Sequence, residues 1–277
     1  MKLTFLILAA VATASLTCSG VTFFEAAGAD PASITPTRDA FRAAIGGGTV
    51  AGANGDFGGV RREINWDGVP DIFADPNLLP ANFFNVNSPR GVVFSTPGTG
   101  FMVSSNAGQA TPPLFGFPND FQTFSAQRLF TAVNSNILDV LFFLPGTLTM
   151  ATTNAFGLVF SDVEVANLTS VDFFDAQNNL LFSRDALTAG NQGLSFLGAL
   201  VGDNDTQIAR VRITAGGNTI VSNGVLGNPN DDVVVMDDFI YGTPTARGGR
   251  GVPDSGSVAA LLGTTLLGLA AFGRRRR

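Results

Sequence analysis

Between residues 91 and 241 the chain repeats one pattern. Short runs rich in Val, Ile, Phe and Thr alternate apolar with polar positions, and each run is closed by Gly, Asn, Asp or Pro. Alternation with period two is the signature of a strand buried on one face, and the closing residues are those that turn a chain back on itself. The runs are Gly91–Ser95, Gly100–Ser104, Arg128–Val133, Ile137–Leu144, Ala155–Val165, Leu168–Asp175, Asn179–Ser183, Leu194–Val201, Gln207–Thr214 and Val233–Tyr241. Strands this short, with no helical pattern between them, exclude a helical bundle and a parallel sheet. The expected fold class is all-β, an antiparallel β-sandwich of jelly-roll-like design. Within Val233–Tyr241, Val233, Val235, Asp237 and Phe239 should face one way and Val234, Met236, Asp238 and Ile240 the other. One of the two aspartates is then inward. It needs a partner there, and Arg210, Arg212 or a metal ion would serve.

Two segments before these runs read differently. Thr35 can cap a helix with Pro36 in its first turn; Phe41, Ala44 and Ile45 would form its apolar face, and Gly46–Gly48 would end it. From 46 to 120 the text is rich in Gly, Asn and Pro. It reads as an elaborated loop leading into the sandwich. Trp66, flanked by Asn65, Asp67 and Asp71, is its one large aromatic beside carboxylates. The chain has 25 Phe but only one Trp and one Tyr, so its interior should be filled by phenyl rings. Trp66 and Tyr241 remain as candidate glycan-contact residues, with the edge of a core as the alternative for each.

Residue types that are missing narrow the chemistry. There is no His, and the one Cys (Cys18) and one Lys (Lys2) both lie near the N-terminus. Without them the body cannot run a Ser-His or Cys-His nucleophile, a Schiff base or a His/Cys zinc site. Carboxylate pairs are the main catalytic hardware left, as a glycosidase uses them. Asp162, Glu164, Asp237 and Asp238, or Glu63, Asp67 and Asp71, are the candidates, but no spacing separates them from decorated strands. The expectation is a protein that is not an enzyme. No cofactor is expected beyond a possible Ca²⁺, held by Asp203 and Asp205 in one Asp/Asn loop and by Asp231 and Asp232 in another. The same residues are also ordinary turn formers. Acidic residues outnumber arginines between 30 and 247, so nucleic acid is not an expected partner.

The two ends read as addresses. Met1 and Lys2, the apolar run Leu3–Leu8 and the small residues Ala9–Ala14 form a secretory leader, with a cleavage option at Ala12-Thr13-Ala14 and a second among Ala26, Ala27 and Ala29. Cys18 could be acylated in a lipoprotein, but Thr17 stands where a small Gly or Ala is expected. At the other end, Val252, Pro253, Asp254, Ser255 and Gly256 precede an apolar run from Val258 to Phe272, followed by Arg274, Arg275, Arg276 and Arg277. Fifteen helical residues cover about 22 Å, short for a bilayer of about 30 Å but workable when flanking arginines snorkel. The arginines should stay cytoplasmic, with the body outside.

This tripartite arrangement resembles the PEP-CTERM class of sorting signals, in its VPDSG-CTERM variant. The resemblance implies a bacterial exported protein, anchored by a transmembrane helix and processed by an exosortase-type transpeptidase. The expected organisation is a leader over 1–29, a β-sandwich domain over 30–247 with its irregular 46–120 region, and a sorting signal over 252–277. The expected role is structural or glycan-contacting, at the cell envelope, cell surface or in the extracellular matrix, with extracellular polysaccharide as a possible partner. A carbohydrate-binding module and a carboxylate-based glycan hydrolase are the alternatives.

Overall fold

The computed structural model describes residues 20–202, 205–221, 224–226 and 232–247. Two mainly antiparallel sheets face each other, giving a sandwich-like all-β fold. The larger sheet runs, in spatial order, through Val21–Gly28, Leu194–Val201, Ala155–Ser161, Val235–Gly242, Phe130–Val133, Thr219–Val221 and Gly224–Leu226. Arg61–Ile64 pairs with Val235–Gly242 and Gly100–Val103 with Phe130–Val133. The smaller sheet has the order Leu180–Asp185, Ser170–Phe174, Arg210–Thr214, Ile137–Phe142 and Val92–Ser95. All ten anticipated runs carry a strand. Turn chemistry and alternation therefore suffice to find them in this chain.

Burial follows the layering. In the smaller sheet Leu138, Val140, Phe142, Val171, Phe173, Val211 and Ile213 are buried, while their alternate neighbours are partly exposed. Those inward side chains meet Phe156, Leu158, Phe160, Leu197 and Ala199 of the larger sheet in the main core. Ala155–Ser161 is buried at every position, because a second layer covers its other face. That layer is the helix Pro31–Ile45. Its Ile34, Phe41 and Ile45 pack on Ala155, Val159, Leu194, Phe196 and Ile240.

The helix starts earlier than expected. Asp30, not Thr35, is its cap, and its carboxylate accepts from the Ser33 N–H at 2.9 Å and the Ser33 hydroxyl at 2.8 Å. Pro31 then fills the first helical position, where no donor is lost. Pro36 lies inside the helix, and the buried face uses Ile34 where Ala44 was expected, Ala44 being exposed. The folded unit also begins before residue 30. Val21–Gly28, placed by the sequence in the leader, pairs along its whole length with Leu194–Val201. A cut at Ala12-Thr13-Ala14 spares this strand, whereas a cut among Ala26, Ala27 and Ala29 divides it.

The helix seats on the sheet through one ring. Gly157 and Gly198 are directly paired across neighbouring strands. A Cβ on Gly157 would lie 2.7 Å from the Phe41 ring, and one on Gly198 would lie 2.9 Å from it. The two glycines leave a dent that the phenyl fills, flanked by Phe24 and Phe196 at 5.3 and 5.6 Å between ring centres. Gly198→Ala should therefore cost about 1–3 kcal/mol by overpacking, read from denaturant midpoints. In a Phe41→Ala background the added methyl should cost little, since its obstacle is gone. An equal cost in both backgrounds would contradict the seat.

Candidate functional site

Trp66 and Tyr241 are not surface platforms. Trp66 is 1 % exposed and Tyr241 0 %. The indole stacks on Phe130 at 4.0 Å and 6° and meets Phe84 and Phe239 edge-on at 5.5 and 5.0 Å. Tyr241 lies against Phe142 and Phe156, and its hydroxyl donates to the Arg90 carbonyl at 3.1 Å. Rings enclosed in this way cannot serve as exposed stacking platforms for a sugar, the form of glycan contact first assigned to the two residues. The 46–120 region is correspondingly less of a loop than expected. It carries Arg61–Ile64, the short helix Phe83–Val86 and two strands of the sandwich, and it wraps Trp66 into the core.

Asp237 and Asp238 are both buried, and alternation fails between them. The strand pairs Asp237 with Val159 and then Phe239 with Leu158, leaving Asp238 as an extra residue in a bulge. The bulge resets the parity. Val234 and Met236 before it, and Phe239 and Tyr241 after it, all belong to the main core. The partner is not Arg210 or Arg212, which both bind Asp139 (2.7 and 2.9 Å) on the smaller sheet. It is Ser125. Asp237 accepts from the Phe124 and Ser125 N–H groups at 2.7 and 3.2 Å and from the Asp238 N–H at 2.8 Å. The Ser125 hydroxyl lies 3.2 Å from Asp237 and 2.8 Å from Asp238, and Arg38 stands 3.9 Å from Asp238.

Burial pushes both carboxyls above the usual range, and Asp238 adds repulsion at Asp237. One hydroxyl proton cannot serve two carboxylates. A proton held on Asp238 would complete the chain, Asp238 donating to Ser125 and Ser125 to Asp237, whose other donors favour its ionised form. At 0 % and 5 % exposure neither group can reach a substrate. What the arrangement does is tie the segment around Phe124 to the larger sheet. Sequence reasoning missed Ser125 and Arg38 because nothing local marks them, their partners being more than a hundred residues away.

The calcium candidates do not converge among the described residues. Asp203 and Asp231 lie outside them. Asp205 accepts from the Gly20 N–H at 3.2 Å, whereas Asp232 is buried and accepts from the Glu164 and Val165 N–H groups, each at 3.2 Å. No group of three or more acidic side chains that could hold a metal occurs among the described residues. The sorting residues Val252 to Gly256, the apolar run and Arg274 to Arg277 also lie outside. No helix among the described residues is long and apolar enough to cross a membrane.

The other candidate carboxylates are held as well, except Glu164, which is exposed. Glu63 is held by Arg42 at 2.5 Å and by Arg61 at 2.7 Å. Asp71 pairs with Arg128, which is 1 % exposed. Asp67 accepts from the Arg128 N–H at 3.2 Å and from Asn65 at 3.3 Å, and burial pushes its pKa up to about 6. Asp162 accepts from the Gln192 N–H at 2.8 Å, and burial pushes it up to about 7.

A cleft of about 330 Å³ opens where the 46–120 segment meets the core. Trp66, Phe83 and Phe84 supply apolar wall, and Asn87, Ser88 and Arg90 supply polar groups. Arg90 gives one N–H to the Glu63 carbonyl and another to the Ser88 hydroxyl at 3.2 Å, and stacks over Phe84 at 5.1 Å. Burial lowers its pKa from the usual arginine value. Sequence reasoning passed over Arg90, although it sits within 76–119, a stretch with no Asp or Glu. No protein-family model and no curated protein matches this sequence.

The raised carboxyls set the sign of the pH dependence. Asp67, Asp162, Asp232, Asp237 and Asp238 all have folded values above their unfolded ones, so the folded chain binds more protons. For Asp67 and Asp162 the stabilising effect is full below about pH 4 and is lost as pH rises through about 6 and about 7, and the other three act in the same direction. The unfolding midpoint should therefore be higher at pH 5 than at pH 8, and Asp162→Asn should remove on the order of 1 kcal/mol of that difference. A midpoint that rises from pH 5 to 8 would contradict the assignment. Ser125→Ala should cost about 1–3 kcal/mol by leaving buried acceptors unmet, seen as a lower midpoint at both pH values.

Proposed function

We propose that this chain is an exported protein of the cell envelope or extracellular matrix, with a structural or glycan-contacting role and no catalytic one. The observation that carries the reading is the ordered series of Val252–Gly256, an apolar run and four arginines. That series suits a transmembrane helix with cytoplasmic arginines and processing by an exosortase-type transpeptidase. A leader before Val21 and a jelly-roll-like connection of the two sheets belong to the same reading.

The state of the carboxylates supports the non-catalytic part. A glycan hydrolase needs two carboxyl groups about 5–10 Å apart that reach the scissile bond from both sides. Here Asp237, Asp238 and Asp162 are buried, and Glu63 and Asp71 are bound by arginines. A carbohydrate-binding module built on an exposed Trp66 or Tyr241 is not favoured, because both rings are inside.

The test is the intact mass of the protein recovered from the cell surface or medium. The proposal expects a mature N-terminus at or before Val21 and a C-terminus at or near the Val252–Gly256 motif. It also expects that a variant lacking Arg274–Arg277 is processed poorly. Full-length chain in the cytosol with its leader uncut, or normal processing without the arginines, would overturn it.

A further inference from the structure

Among the described residues Arg90 is a cation without a carboxylate within 4.0 Å. The other arginines between 38 and 212 each have a carboxylate within 4.0 Å, from Arg38 with Asp39 to Arg212 with Asp139. Arg90 is the exception. Its Nε and Nη1 go to a hydroxyl and a carbonyl, and Nη2 makes no hydrogen bond among the described residues. Glu63 gives Arg90 its backbone carbonyl, while its carboxylate is taken by Arg42 and Arg61. A half-buried guanidinium that has lost water and gained no anion is an unfinished ion pair.

The cleft beside it completes the description. Arg90 is the only charged residue among those lining it. Trp66, which forms part of its wall and is 1 % exposed, has an Nε1–H with no partner. Arg90 is thus the donor at this cavity that lacks an anion, with phenyl wall beside it and the Asn87 amide at the rim. About 330 Å³ lies at the small end of the range of roughly 300–1,000 Å³ for ligand sites, sufficient for a single ring.

We propose that the cleft between Trp66 and Arg90 binds the carboxylate of an acidic sugar, a hexuronate residue such as ends or branches an anionic polysaccharide. The guanidinium takes the carboxylate, the ring lies along Phe83 and Phe84, and the hydroxyls face the Asn87 and Ser88 edge. This deepens the glycan-contacting part of the proposed function and rests on it only for the ligand's origin. Binding by the purified chain is read separately from export and processing.

Trp66 is the only tryptophan, so any change in emission comes from the residue that lines the cleft. Full-length chain in detergent would be titrated with glucuronate, its methyl ester, glucose and acetate, following fluorescence and heat. Glucuronate should give a saturable response at least ten-fold tighter than the neutral ester or glucose, and tighter than acetate. Arg90→Gln should abolish it. Asn87→Asp, an exposed change that brings a negative charge to the rim, should weaken binding several-fold with the far-ultraviolet spectrum unchanged. No response to glucuronate, or an equal response to the ester or glucose, would overturn the proposal. Acetate binding as tightly as glucuronate would overturn the sugar assignment, and an unaffected Asn87→Asp would place the ligand elsewhere. If these fail while processing proceeds as expected, the sorting reading stands and the cleft reading falls.

Discussion

The stack of Trp66 on Phe130 is the contact on which the rest of the molecule depends. Phe130 belongs to the larger sheet and Phe94, tilted 39° to the indole at 6.0 Å, to the smaller one. Phe84 comes from the short helix and Phe239 from the strand after the bulge. One side chain therefore joins both sheets to the segment that precedes them. Its backbone sits at φ +66°, a conformation that bulky residues rarely adopt and that persists only where the surroundings over-determine it. Burial of so large an aromatic, with its edge-to-face neighbours, is what offsets that strain.

Two consequences follow for function. The residues with the most reactive look, the paired aspartates and the lone Trp, are used by the fold itself. Asp237 and Asp238 staple a distant segment through Ser125, and Glu63, Asp71 and Asp139 are bound by arginines. Along the cleft beside Trp66 the local imbalance is positive, in an acidic chain. Arg90 keeps its charge in a stretch without acids, beside a cavity whose wall is the back of the same aromatic cluster. The packing that removes Trp66 from the surface thus also shapes the cleft in which Arg90 lacks a carboxylate partner among the described residues.

Much of the architecture was legible in the sequence, and for definite reasons. The ten anticipated strands were found because their alternation and bounding turns are local signals. The strand Val21–Gly28 was misread because its small and apolar residues also suit a leader, and only its pairing with Leu194–Val201 distinguishes the two. Thr35 and Pro36 resemble a helix start, but Asp30 and Pro31 do the same five residues earlier with a better cap. The parity of Val233–Tyr241 could not be read across a bulge, since nothing in the letters announces an extra residue. Trp66 stood as a candidate glycan contact beside a core-edge reading because its neighbours Asn65, Asp67 and Asp71 are polar; its ring lies well inside a core assembled from later strands. Ser125 owes its importance to partners more than a hundred residues away, which no local pattern could mark, whereas the acid-free stretch around Arg90 was a local signal.

The most direct measurement is the emission of the single tryptophan in the native chain, with an added quencher. If the 46–120 segment is folded around a buried indole, the spectrum is blue-shifted, acrylamide quenches it weakly, and unfolding moves it red in step with the loss of β-structure. A red, readily quenched emission from the folded protein would mean that Trp66 lies in solvent, and the core described above would then be wrong at its centre.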